Sequence, residues 1–451
     1  MKSPELLLPA GGPERMRTAF DYGADAVYAG SPRYSLRARN NEFAKLDVLS
    51  DGIAEAHRRG KKFFLTCNTL PHNSKLKTFV ADMEPLVAMK PDALIMADPG
   101  LIMVTRERWP EMPIHLSVQA NTTNYWGVKF WQNIGVERII LSRELSMEEI
   151  AEIRQECPDI ELEVFVHGAL CIAYSGRCLL SGYFNHRDPN QGTCTNSCRW
   201  DYKVHDAQID DMGDAKLLEG FDFNKAQEEA NQAFEGINGQ KRHPKADKIF
   251  LLEESNRPGE YMPIMEDEHG TYIMNSKDLR AVEQVAELAK IGVDSLKVEG
   301  RTKSVYYVAR VAQAYRKAID DAVAGRPFDY GLLAELEGLA NRGYTTGFLE
   351  RHQTQEYQNY LEGHSLSKQS QYVGQVSAID ADGWATVDVK NRFAVGDTLE
   401  IIHPQGNQTI VLQAMKRGGE AADVAPGNGI QVQIPGMQGK EKALVARIIN
   451  P

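Results

Sequence analysis

The sequence predicts an α/β chain: a closed (β/α)8-type barrel that carries a cysteine-bearing insertion and is followed by a small antiparallel β-barrel. Three observations lead there. Short apolar runs alternate with helical periodicity from the start to about residue 170, the pattern of a parallel sheet with helices outside it. No G-x-G-x-x-G follows the first run, as an open dinucleotide-binding sheet would require. From about residue 368 the texture becomes alternating strands and glycine turns with no helical period.

The expected strands are ELLLPA (5–10), DAVYAG (25–30), KFFLTCN (62–68), ALIMADP (93–99), IHLSVQA (114–120), RIILSRE (138–144) and LEVFVHGA (162–169). Their nearly continuous hydrophobicity marks strands buried on both faces. Helices are expected at 13–22, 47–59, 75–89, 123–135 and 146–156, and the last opens with the capping-box spacing Ser146-Met-Glu-Glu149. After a long polar interruption, TYIMN (271–275) and DSLKVEG (294–300) resume the alternation. That makes nine candidates for eight places, so one of the last two is peripheral. Residues 304–324 read as a strong helix. The expected domains are a barrel at 1–329, containing the cysteine segment and polar insertion at 171–270, a linker at 330–367 and a β-domain at 368–451.

With 51 Lys plus Arg against 62 Asp plus Glu, the formal charge is −11, which argues against a protein coated in positive charge for general nucleic-acid binding. A local basic patch is compatible with it. Residues 368–451 hold equal numbers of basic and acidic residues, so the excess negative charge falls on the barrel. Met1 leads into KSPELLLPAG with no secretory pattern, and no apolar run is long enough for a membrane span; a soluble, cytoplasmic protein is expected.

Of six cysteines, Cys67 and Cys157 stand apart, while Cys171, Cys178, Cys194 and Cys198 share one segment with spacings C-x6-C, C-x15-C and C-x3-C. In a reducing compartment such crowding points to metal ligation before disulfides. Four thiolates suit a [4Fe–4S] cluster or a structural zinc. Zinc sites usually build on tight pairs, and only Cys194 and Cys198 make one. The segment also runs straight out of the seventh strand into the expected active-site mouth.

The run HGALC-x6-C, followed by R-x-x-x-x-G-x-C, resembles the signature of peptidase family U32. LLLPAGGPERMRTAFDYGADAVYAG at the start and SLKVEGRTKS near the end of the barrel strengthen the likeness, as does the C-terminal β-domain. Length and architecture, with RYSLRARNNEF, HLSVQAN and MNSKDLRA, most resemble the family's tRNA hydroxylation branch. That resemblance implies a barrel with a [4Fe–4S] cluster. It also implies conversion of the wobble uridine of certain tRNAs to 5-hydroxyuridine, with prephenate as donor and without molecular oxygen. Members of the family differ in where the fourth cluster cysteine lies, so Cys198 is the ligand most open to replacement.

Proteolysis, which the family name suggests, finds neither H-E-x-x-H nor G-x-S-x-G here. A peptidase, hydroxylation of another substrate, an accessory role and a binding protein with a structural metal remain as alternatives. Polar residues at strand ends, where barrels of this type build active sites, supply the candidates. Arg37, Arg143, Arg177 and Arg301 could grip the donor's carboxylates, since planar two-pronged recognition is arginine chemistry. Asn68, Gln119 and Lys297 are further substrate-binding candidates. Lys297 and Glu299 share one strand face with Arg301, and charges buried on such a face must pair. His167 and Glu299 are the candidates for proton transfer.

Overall fold

The computed structural model describes residues 1–36, 41–170, 278–300, 303–339, 343–350, 370–427 and 429–449, with the backbone of short strands between 202 and 271. Eight parallel strands form a closed barrel: β1 (Glu5–Pro9), β2 (Ala26–Gly30), β3 (Lys62–Cys67), β4 (Ala93–Met96), β5 (Ile114–Leu116), β6 (Arg138–Ile140), β7 (Glu161–Ala169) and β8 (Ser295–Val298). They pair in chain order, and β8 closes the ring by pairing with both β7 and β1. DSLKVEG is therefore the eighth strand. Most of TYIMN lies outside the described residues. Just after it, Asp278–Arg280 runs antiparallel to the end of β7, beyond the barrel.

The helices are α1 (Pro13–Asp21), α2 (Leu46–Arg58), α3 (Asn73–Leu76), α4 (Phe79–Ala88), α5 (Pro99–Arg108), α6 (Tyr125–Asn133), α7 (Met147–Glu156), α8 (Val285–Ile291), α9 (Val305–Val323) and α10 (Gly331–Glu337). Local chemistry sets several of their starts. Ser146 accepts from the Glu149 amide while the Glu149 carboxylate accepts from the Ser146 amide, so α7 begins with a complete capping box. Asp98 caps α5 and Ser304 caps α9. The helix expected at 75–89 is two pieces, and Phe79, buried edge-on against Tyr34 at 5.2 Å, anchors the start of the second.

The C-terminal region is an eight-stranded antiparallel sheet in the order 408–411, 398–402, 444–448, 370–379, 385–389, 431–434, 416–417, 420–421. It buries a core of its own that includes Val387, Phe393, Leu399 and Val445. Ile402, Leu444 and Ala446 instead join the core of the barrel. Tyr22, at the C-terminal cap of α1, donates to the Ile402 carbonyl at 2.8 Å, and Arg310 of α9 pairs with Glu400. Within the polar insertion, which the sequence marks only as surface, Tyr202–Ile209, Ala215–Leu217, Phe250–Glu254 and Tyr261–Ile264 pair into a four-stranded antiparallel sheet.

Candidate active site at the barrel mouth

Inside the barrel the strands carry charge. Arg138, at the start of β6 and only 2% exposed, pairs with Glu5 of β1 at 2.6 Å and with Glu163 of β7 at 3.0 Å. Glu163, fully buried, also takes the Lys297 ammonium of β8 at 2.6 Å. The four form a charge-balanced ladder across β1, β6, β7 and β8 at the barrel floor, each ion facing an opposite one, as burial demands. Burial pushes the Lys297 ammonium below its ordinary value, while Glu163 opposes that shift. Burial works against the Arg138 charge too, but Glu163 and Glu5 outweigh it and raise its pKa. His115 of β5 lies beside Phe64 with its Nδ1 unpartnered among the described residues. Burial first, then Arg138 and Lys297, hold its pKa well below the ordinary value, so it is neutral.

Above this floor the first partly exposed charges are Arg143 and Glu299. The Lys297 ammonium lies over the Tyr28 ring at 4.5 Å. One step up β8, Glu299 pairs with Arg143 at 3.3 Å, and both are only partly buried. The Arg143 guanidinium lies over the Phe165 ring, 3.9 Å from its centroid. Of the five N–H donors of that guanidinium, one is hydrogen-bonded to Glu299. Arg143 and Glu299 thus make one arc of the mouth, backed by the buried Phe165 ring, with Lys297 beneath them.

A second arc follows from β3, β5 and β6. Asn68 is buried and donates to Ser117 at 3.1 Å, while its carbonyl oxygen accepts from the Leu36 amide. Gln119 sits in a short 3-10 turn whose amide is held by the same serine. Asn121 follows with a positive φ of 54° and accepts from Ser142 at 2.8 Å. Ser142 also contacts Glu144.

His167 is placed differently. Pairing between β7 and β8 slips by one residue between Lys297 and Val298, so Lys297 faces Phe165 while Val298 faces His167. One extra residue in β7 changes which face its side chains follow. The His167 ring is 1% exposed and lies among Tyr307, Tyr315 and Tyr344. The Tyr315 hydroxyl donates to the Val166 carbonyl at 2.7 Å and accepts from the Ala281 amide, so its only proton is used. His167 Nδ1, 3.3 Å from that hydroxyl, is therefore the donor, and Nε2 keeps its lone pair without a partner among the described residues. Burial pushes the His167 pKa down to about 3.

Arg37, Arg177 and Arg301, and the ligand candidates Cys171, Cys178, Cys194 and Cys198, lie outside the described residues. Cys67 is buried at the end of β3, and burial pushes its thiol up to about 12. Cys157 is buried at the end of α7. Among the described residues no helix is long and apolar enough to cross a membrane. The interior pairs of Arg138 and Glu163 are not evident in strands read as continuously hydrophobic. Their signal is period-two charge, Glu161 and Glu163 flanking Leu162.

Residues 11–359 match the model of peptidase family U32, and residues 368–447 match that of the peptidase family U32 C-terminal domain. The chain is 59% identical over 442 residues to the tRNA hydroxylation protein P of Escherichia coli (strain K12), covering 96% of this chain and 94% of that one. It is 58% identical to the protein of the same name from Haemophilus influenzae, covering 94% and 92%. The 23S rRNA 5-hydroxycytidine C2501 synthase of Escherichia coli is 29% identical, across 71% of this chain and 40% of that longer one. An eight-stranded barrel, a C-terminal antiparallel sheet and these matches lead to one assignment: the chain belongs to peptidase family U32, in the branch of the tRNA hydroxylation proteins P.

Proposed function

We propose that this chain is a tRNA-modifying enzyme that converts the wobble uridine to 5-hydroxyuridine, with prephenate as hydroxyl donor and without molecular oxygen. The observation that carries the reading is 59% identity, over 96% of the chain, to a protein named for tRNA hydroxylation. The barrel mouth supplies groups suited to it. Arg143 has N–H donors beyond the one given to Glu299, and a guanidinium backed by an aromatic face is suited to gripping a carboxylate. Glu299, beside it at the partly open rim, is the better-placed group to hold or move a proton at the uracil ring. His167, neutral and enclosed by tyrosines, is suited to orienting the end of β7.

Cys171, Cys178, Cys194 and Cys198 would hold a [4Fe–4S] cluster; four soft thiolates fit that group, and β7 leads directly into the segment that bears them. A cluster bound by four cysteines would serve in electron passage, whereas one bound by three would leave an iron open as a Lewis acid. The test mixes reconstituted protein, unmodified tRNA and prephenate under anaerobic conditions, and reads 5-hydroxyuridine by mass. Product that depends on prephenate is expected. Peptide cleavage without hydroxylated product under any donor would overturn the reading in favour of the activity the family name suggests.

A further inference from the structure

Three clefts outside the barrel mouth differ in charge. The cleft between α1 and the C-terminal sheet is lined by Glu14, Asp21 and Glu441 among others, and the cleft under the barrel floor by Asp92, Glu137 and Glu161. The third, of about 490 Å³, lies between the start of α9 and the strands Ser370–Ile379 and Leu444–Ile448. No carboxylate is among its described lining residues, whereas Lys303 and Arg447 are. In a chain of charge −11, a lining with two cations and no carboxylate among its described residues suits an anionic ligand better than the other two clefts do.

Its walls are also aromatic. Tyr306 of α9 and Tyr372 of the sheet stack at 5.2 Å with 18° between their planes. Lys303 Nζ lies 5.3 Å from the Tyr307 ring. Arg447 donates to the Gln371 side chain at 3.0 Å, and its Nη1 stands 3.8 Å from Asp397. The cleft adjoins the mouth through Tyr307, which lines it and whose hydroxyl donates to the Glu299 carbonyl at 2.8 Å.

We propose that this cleft seats one nucleotide step of the RNA substrate, with Arg447 and Lys303 on the phosphate and the Tyr372 ring against the base or ribose. Paired cations beside stacked rings are the elements by which single-stranded RNA is held without sequence preference. The inference rests on the RNA-modifying reading above. It adds the path by which a tRNA loop reaches Glu299, along the seam of barrel and sheet.

The test is fluorescence anisotropy with an unmodified tRNA transcript at several salt concentrations. Arg447→Ala should bind about tenfold more weakly, with the slope of log affinity against log salt shallower by about one. Tyr372→Leu, which keeps bulk in the cleft, should weaken binding by about tenfold with an unchanged slope. Arg108→Ala, on α5, is the control and should bind as wild type. Circular dichroism and melting curves establish that each variant is folded. A variant with weak affinity but full product at saturating protein supports docking. Wild-type affinity and slope in both Arg447→Ala and Tyr372→Leu would overturn the cleft while leaving the enzyme's function intact. A wild-type protein with no affinity for tRNA would overturn the RNA reading and the cleft together.

Discussion

Arg143 is the side chain on which the proposed chemistry leans most. It is partly exposed, pairs with Glu299 among the described residues, and packs on Phe165 without entering the core. Arg143→Ala should therefore leave the melting temperature nearly unchanged, while turnover falls by about two orders of magnitude or more, as loss of a positioning contact does. Arg143→Lys should recover only part of that, because an ammonium keeps charge but not the two-pronged geometry. His167 leads to a different expectation. Its folded pKa, about 3, lies below that of an unfolded histidine, so only the unfolded chain takes up the proton at intermediate pH. Stability is then intact above about pH 6.5 and declines as pH falls towards about 3, with about 2 to 3 kcal/mol lost by about pH 4.5. Urea titrations at about pH 7 and about pH 4.5 should show a smaller loss in His167→Gln than in wild type. His115, also held neutral by burial, contributes in the same direction and stays in both proteins.

Among elements, the junction at the end of β7 is tightly constrained. Gly168 has a φ of +101°, and a Cβ there would lie 2.5 Å from the Glu299 carbonyl oxygen and 3.0 Å from the Tyr307 hydroxyl. Gly168→Ala should cost about 2 kcal/mol or more, from the left-handed backbone and the clash with main chain, and differential scanning calorimetry would read it. This junction also marks where sequence reading stops being sufficient. The strand runs, the Ser146–Glu149 capping box and the helix beginning near Ser304 are legible because each depends on neighbours in sequence. His167 reads as a rim residue by its place after an apolar run, but the slip between β7 and β8 is set by pairing across strands, which no local pattern encodes. The Glu163–Arg138 pair is hidden for the same reason: each charge is tolerable only because of a partner on another strand. The strands at 202–264 are masked by the polar composition around them.

At the scale of the whole molecule, barrel and C-terminal sheet share a core through Ile402, Leu444 and Ala446, reinforced by Arg310 with Glu400. What the described residues do not supply is a metal-binding cluster, and the cysteine segment is where the proposal puts it. Anaerobically reconstituted protein should contain iron and sulfide in equal amounts, about four of each per chain. Serine at Cys171, Cys178 or Cys194 should abolish both, because a hydroxyl is a poor ligand for a soft site. Stoichiometric zinc without sulfide would refute the cluster. Normal iron in a Cys198→Ser protein would place the fourth ligand elsewhere.

The ion ladder at the bottom of the barrel has a kinetic consequence. Glu5, Arg138 and Glu163 are packed across it, so among the described residues that end of the barrel is obstructed by paired ions. If the proposed donor binds beneath the mouth, it would enter before the tRNA covers that mouth, and its spent form would leave after the tRNA departs. Turnover should be ordered, donor first and tRNA second. Excess tRNA should inhibit at low prephenate by capping an empty vessel, and added prephenate should relieve that inhibition. Initial rates measured over a grid of both concentrations would show it. Rates that merely saturate with tRNA at every prephenate level would mean that the small molecule has a back entrance, and that the ladder is a brace and not a stopper.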